Sequence, residues 1–264
     1  MLLLLFILGL IAGSFADALV WRMHTSQNYL TGRSQCDVCG HKLALIDLIP
    51  LFSWLIQRGK CRYCGTHITA QHIIMELAGG LIFSLSYLYW PLSLSLPGQR
   101  VLFISWIISS IGLLALALYD ARWMILPSKI IYPTLLVAVI GRAAYILHWQ
   151  ADKSHAEVLW LGSVVVASGI FWLLFMISRG KWIGYGDVRL GLVTGTLLAD
   201  PSKSFLMVFF ASLLGSLAAG IFLLFKKRGL GARISYGPFL ALATFLMVLF
   251  GQSLIDWYNR VFLG

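Results

Sequence analysis

Charge is what this sequence has least of. Only 11% of its 264 residues are charged and just ten are acids, while 59% are hydrophobic and the mean hydropathy is +0.86. That excludes an ordinary soluble domain, which carries about 25% charged residues, and it excludes intrinsic disorder, which needs low hydrophobicity. Short alternating segments are also missing. The apolar residues come in long unbroken runs, which argues against a transmembrane β-barrel and for an all-α integral membrane protein.

The runs predict spanning helices at residues 1–21, 72–92, 101–119, 127–149, 157–178, 188–200, 204–225 and 234–257, each judged against about 20 residues per crossing. That makes about eight. The run at 188–200 is short and holds Gly191 and Gly195, so it is expected to be tilted, partial or sheltered by neighbours. Three segments follow from this layout: a first transmembrane helix at 1–21, a polar insert at 22–71 and a multi-helix membrane domain at 72–264.

A net charge of +10 would point to nucleic acid in a soluble protein, but in a membrane protein it reports topology. With 22–71 placed in the cytoplasm, fifteen of the twenty basic residues fall on that side, in four clusters: Arg22 to Arg62, Arg122 with Lys129, Arg179 to Arg189, and Lys226 to Arg233. Both termini then face away from the cytoplasm, and no nucleic-acid partner is needed. A cleaved signal peptide ending near Ala16-Asp17-Ala18 is the competing reading of the first run. It lacks a basic n-region, and Arg22 with the basic segment behind it would hold the following chain inside, so a retained helix is expected.

Cysteine is absent except in the insert, which holds all four: Cys36-Asp37-Val38-Cys39-Gly40 and Cys61-Arg62-Tyr63-Cys64-Gly65. Two C-x-x-C-G knuckles separated by 21 residues predict a zinc-ribbon-like site. Each short loop sets two thiolates on one side of a tetrahedral ion. Two disulfides compete, although a cytoplasmic setting opposes stable oxidation. Four thiolates leave the ion no open position, so the zinc is structural and folds an insert too small to rely on an apolar core. His41, Lys42, Arg58, Lys60 and Arg62 lie beside the knuckles and partly offset the site's negative charge. Between the knuckles, the apolar stretch Leu48–Leu55 suits either the membrane surface or packing within the insert.

Because acids are so few, any that adjoins an apolar run needs a reason. Asp120 closes one run, in Leu118-Tyr119-Asp120-Ala121-Arg122, and Asp187 opens another, in Gly184-Tyr185-Gly186-Asp187-Val188-Arg189. Each has a plainer role at a helix end, paired with the arginine two positions on or, for Asp187, capping the helix N-terminus. Together they suggest more. The topology puts both on one membrane face, and two carboxylates brought together share a proton and can activate water against a peptide carbonyl. Such a pair titrates as a unit. Asp17, Glu76 and Arg142 also lie in or near apolar runs, and the six histidines show no spacing suited to a second metal.

The order of these features resembles the bacterial prepilin peptidases: Gly13-Ser14-Phe15 ending the first helix, the paired knuckles around Ile49-Pro50 and Ser53-Trp54, Asp120 before Leu126-Pro127, Gly-Tyr-Gly-Asp before a later span, and Tyr236-Gly237-Pro238-Phe239 near the end. The resemblance covers nearly the whole chain. It implies a membrane aspartic endopeptidase, with Asp120 and Asp187 as the catalytic pair. Such an enzyme cuts the basic leader from type IV prepilins or type II secretion pseudopilins at the cytoplasmic face of the bacterial inner membrane. Many members then N-methylate the new terminus with S-adenosylmethionine.

Three departures matter. Ser128 stands where the family commonly has an aspartate after Leu-Pro. Asp17 stands where Gly-Ser-Phe-x-Asn is common, and Gln71-His72-Ile73-Ile74-Met75 replaces a polar, Arg-containing stretch before Glu76. The last two lie in the region linked with methylation, and no Gly-rich nucleotide-binding pattern on an α/β unit is present, so the resemblance carries the peptidase further than the methyltransferase. Two other readings keep the same residues. One is a presenilin-like or signal-peptide-peptidase-like protease acting on a transmembrane stub. The other is a transporter or assembly factor whose ribbon docks a partner and whose aspartates relay protons.

Overall fold

A computed structural model describes residues 1–28, 34–224 and 234–262. Arg33 and the cluster Lys226, Lys227, Arg228 and Arg233 lie outside the described residues. Those residues form helices α1 (Leu2–His24), α2 (Phe52–Ile56), α3 (Gln71–Leu88), α4 (Pro97–Trp123), α5 (Ser128–Trp149), α6 (Lys153–Ser178), α7 (Tyr185–Leu198), α8 (Pro201–Leu224) and α9 (Gly237–Phe262), with one 3₁₀ turn at Leu45–Leu48. Each predicted apolar run contains one of these helices. Six helices (α1, α4, α5, α6, α8 and α9) are long and apolar enough to cross a membrane. The chain is a multi-pass membrane protein.

The two remaining runs depart from the expected eight spans for different reasons. Helix α3 has 18 residues and opens with Gln71, His72 and Glu76, which lower its hydropathy. Helix α7 has only 14 residues, about 21 Å at 1.5 Å per residue, and falls short of a roughly 30 Å hydrocarbon layer. It is sheltered instead: α5, α6, α8 and α9 all pack on it, and Val188, Leu190, Val193 and Leu198 are buried.

Two compact units divide the chain at Leu88. In the first, α1 and α3 lie against each other through glycine. A Cβ on Gly13 would come 2.1 Å from the Met75 carbonyl oxygen, and one on Gly79 would come 2.2 Å from that of Gly9. With no hydrophobic force between helices in lipid, this close approach of backbones is what holds such a pair, and Gly9 and Gly13 have the small-xxx-small spacing that permits it. Gly13→Leu is therefore expected to destabilise the unit by about 1–3 kcal/mol or more, seen as a lowered melting temperature in detergent. An unchanged melting temperature would show that the helices can separate freely.

The second unit is a bundle of α4 to α9. Gly191 and Gly195 bring α7 against the α6 backbone at Ala167 and Val164, and the hydroxyls of Ser163 and Ser168 donate to the carbonyls of Gly195 (2.7 Å) and Val188 (2.9 Å). These two buried serines are thus satisfied inside the bundle. The left-handed caps at Met124, Arg179 and Ala199 end α4, α6 and α7 and let short connections follow.

Candidate active site

Three helix ends meet at one end of the second unit. Asp120 lies in the last turn of α4, and its side chain is 6% exposed. Gly237, at the start of α9, donates its N–H to Asp120 Oδ2 at 2.8 Å. A Cβ there would sit 2.8 Å from that same oxygen, so only glycine lets the two approach. Asp187 occupies the first turn of α7, where its backbone N–H donates to the carbonyl of the helix-capping Gly184 (3.1 Å), and it lies within electrostatic range of Asp120. A place in the first turn suits the helix-end role foreseen for Asp187 and does not exclude a second one. A carboxylate at a helix N-terminus is favoured by the amide dipoles there, which fixes its position without neutralising it.

The loop after α4 closes the arrangement. Leu126 packs over Gly186, where a Cβ would come 3.0 Å from its own. The arginines meet other groups than the aspartates two positions before them. Arg189 hydrogen-bonds the Ser128 hydroxyl and lies over the Tyr185 ring at 5.2 Å, and Arg122 lies over Trp123 at 5.6 Å. Ser128, the departure from Leu-Pro-Asp, is thus the partner of Arg189. Tyr236, just before Gly237, bonds Ser212 at 3.2 Å and feels the field of Asp187.

In the first unit the four cysteines converge, with their sulfur atoms all within 4.8 Å of one another, and they could hold a metal ion. Both knuckles fold alike. Cys36 N–H donates to His41 O (2.9 Å) and Gly40 N–H to Cys36 O (2.9 Å), while Cys61 N–H donates to Thr66 O (2.8 Å) and Gly65 N–H to Cys61 O (2.9 Å). Gly40 and Gly65 sit at φ +68 and +73, the left-handed turn each knuckle requires. The thiols are free, and Cys36 and Cys64 lie 3.8 Å apart, nearly twice a disulfide's roughly 2.05 Å. Tetrahedral Zn–S bonds of about 2.3 Å set sulfur atoms about 3.8 Å apart.

Hydrogen bonds favour the thiolate at two of the four cysteines, Cys36 and Cys64. The Thr66 hydroxyl and N–H draw Cys64 down to about 6, and the Cys39 and Val38 N–H groups lower Cys36. The His41 N–H also favours the Cys39 thiolate, but desolvation and the neighbouring thiols of Cys36 and Cys64 outweigh it and push Cys39 up to about 11. Four thiolates without a cation repel one another. Asp47, between the knuckles, receives the Gln57 amide (2.9 Å), the Tyr63 hydroxyl (3.1 Å) and the Ala44 N–H (3.1 Å), and His41 stacks on Tyr63 at 3.7 Å. The apolar stretch between the knuckles stays outward: Leu55 and Phe52 are 62% and 63% exposed.

The polar residues of the first helix pair with those of α3. Asp17 is bonded by Gln71 (2.6 Å) and His72, and Glu76 accepts the N–H of Leu51 at 2.8 Å, where Leu51 has φ +62. The two N-terminal departures from the family pattern are therefore one compensated contact. Nothing local in the sequence marks Asp17, Gln71 or Gly237 as partners, because each pairing joins helices far apart along the chain.

Comparison with known proteins identifies the family. Residues 7–90 match the Bacterial Peptidase A24 N-terminal domain, and residues 107–224, which include Asp120 and Asp187, match the Type IV leader peptidase family. Three similar proteins are each named prepilin leader peptidase/N-methyltransferase. The one from Bacillus subtilis (strain 168) is 30% identical over 100% of both chains. That from Dichelobacter nodosus is 32% identical over 86% of this chain and 74% of its own, and that from Stutzerimonas stutzeri is 27% identical over 96% and 91%. No solved structure matches significantly.

Proposed function

This chain belongs to the type IV leader peptidase family and is a peptidase, and we propose that Asp120 and Asp187 are its catalytic pair, cutting the basic leader from a prepilin or pseudopilin at the cytoplasmic face of the inner membrane. What carries the reading is the convergence of two carboxylates at one end of the bundle, one of them held by the Gly237 N–H.

The chemistry follows from their placement. The ionised carboxylate takes a proton from water, and the hydroxide attacks the scissile carbonyl carbon. The protonated carboxyl then supplies its proton as the C–N bond breaks, leaving a free acid and a free amine. Arg122, Lys129, Arg179, Lys181 and Arg189 flank these helix ends, which supports placing them at the cytoplasmic side. A substrate with a soluble basic leader and an apolar stem suits a site at such a helix end.

The cysteine cluster suits structural zinc: four sulfur donors at tetrahedral spacing and no open position for water. Zinc would cross-link the two knuckles and fix the insert. For S-adenosylmethionine, implied by the relatives' names, the polar groups of the N-terminal region offer no evident cradle. Asp17, Gln71 and His72 bind one another, and Glu76 binds Leu51. No step is assigned to it.

Mass spectrometry of a prepilin incubated with purified protein, with and without S-adenosylmethionine, tests the whole reading. Expected are two products from one cut at the leader junction, and a methylated new terminus only if the donor is used. An intact prepilin in both arms would overturn it.

Gly237 has its own expected effect. A methyl group there meets the far end of a side chain, so Gly237→Ala should displace the Asp120 carboxylate more than the backbone. A shift of about 1 Å in a reacting group can lower turnover about 10²-fold. The loss should fall on kcat with KM little changed, measured on a prepilin substrate.

A further inference from the structure

At the opposite end of the second unit is a cavity of about 260 Å³, several times the roughly 30 Å³ share of a water molecule. It lies by Ser105 and Trp106 on α4, about 21 Å along the helix from Asp120 at 1.5 Å per residue, and by the C-terminal end of α7, away from Asp187. Arg142 and Lys203 both line it. They are near enough to repel each other, and each lies on a helix otherwise apolar enough to cross a membrane.

Their known partners leave buried N–H donors unused. Arg142 Nη2 donates to the Leu197 carbonyl at 3.2 Å, but Arg142 Nε and the Trp90 indole N–H are buried without a hydrogen-bond partner among the described residues. Asp200, the acid lining the cavity, accepts the N–H groups of Ser202 (2.8 Å) and Lys203 (3.1 Å) at the start of α8, and Asp256 is bonded by the Gln252 amide at 3.0 Å. Asp200 and Asp256 both lie within electrostatic range of Lys203, so what stays unmet in the cavity is the buried Arg142 Nε and the Trp90 N–H. Two cations placed in a membrane domain at the expense of desolvation, with unused N–H donors beside them, call for an anion.

We propose that this cavity binds a phosphate group, as the headgroup of an anionic phospholipid or as free phosphate, with Arg142 and Lys203 supplying the charge and Trp90 an N–H donor. Guanidinium and phosphate match in geometry, and their hydrogen bonds are charge-assisted. The proposal is independent of the peptidase reading, because it concerns different residues at the other end of the bundle.

The test uses the full-length protein in neutral detergent. Native mass spectrometry compares binding of phosphatidylglycerol and phosphatidylcholine, and thermal melting is followed against inorganic phosphate. Wild type should retain one phosphatidylglycerol in preference to phosphatidylcholine, or be stabilised by phosphate, and the arm that responds identifies the source. Arg142→Gln and Lys203→Gln should each weaken that binding about tenfold or more, while Arg142→Lys should retain part of it. Lys203→Gln lies in the first turn of α8 and guards against a folding failure of the Arg142 variant. Equal lipid and phosphate responses in wild type and in a folded Lys203→Gln or Arg142→Gln would overturn the proposal.

Discussion

Asp120→Asn and Asp187→Asn should each yield a folded, membrane-inserted protein that processes prepilin about 10³-fold more slowly or worse. Asparagine keeps the shape of the side chain and, at position 120, an oxygen that can accept the Gly237 N–H, so the local fold survives. What is lost is the ability to hold or take up a proton. Two carboxylates in reach of each other repel when both are ionised, so removing one should leave the melting temperature unchanged or raised while activity collapses. The double variant should be no worse than either single one, because the pair acts as a unit. Cleavage within tenfold of wild type by either variant would remove that carboxylate from the mechanism.

Much of this arrangement was legible in the sequence, for reasons of scale. Apolar runs of about 20 residues are a local property, and each became a helix. The knuckles were legible because C-x-x-C-G is a local turn that folds the same way twice. Asp120 and Asp187 stood out only against the scarcity of acids. Which helices cross the membrane was less readable: α3 carries polar residues that satisfy Asp17 and Leu51, and α7 is too short and depends on its neighbours.

Partners across the bundle were not legible at all. Gly237 bonds Asp120 from 117 positions away, and Arg189 finds Ser128 across 61. Helix periodicity says which face is buried and not what meets it there. The spacing of Gly9 and Gly13 was one available signal of close helix packing, since small residues four apart let backbones touch in lipid.

Removing zinc should have the other large effect. Cys36→Ser and Cys64→Ser, one from each knuckle, are expected to drop bound zinc from one ion per chain to well below it, measured by elemental analysis of the purified protein. A hydroxyl does not ionise near neutral pH and is a far poorer ligand than a thiolate. Structural zinc sites in small domains contribute about 10–16 kcal/mol of apparent binding energy at neutral pH, so the insert should become protease-sensitive in both variants. Acid should act in the same direction. Protons compete with metal for the thiolates, so loading should fall on acidification and recover on neutralisation. Thr66→Val, which removes the hydroxyl 3.4 Å from Cys64 Sγ, should shift that loss to higher pH while leaving all four sulfurs in place. Unchanged zinc content in Cys36→Ser or Cys64→Ser would rule out the four-thiolate site, since a tetrahedral ion that loses one of four sulfurs cannot keep its affinity.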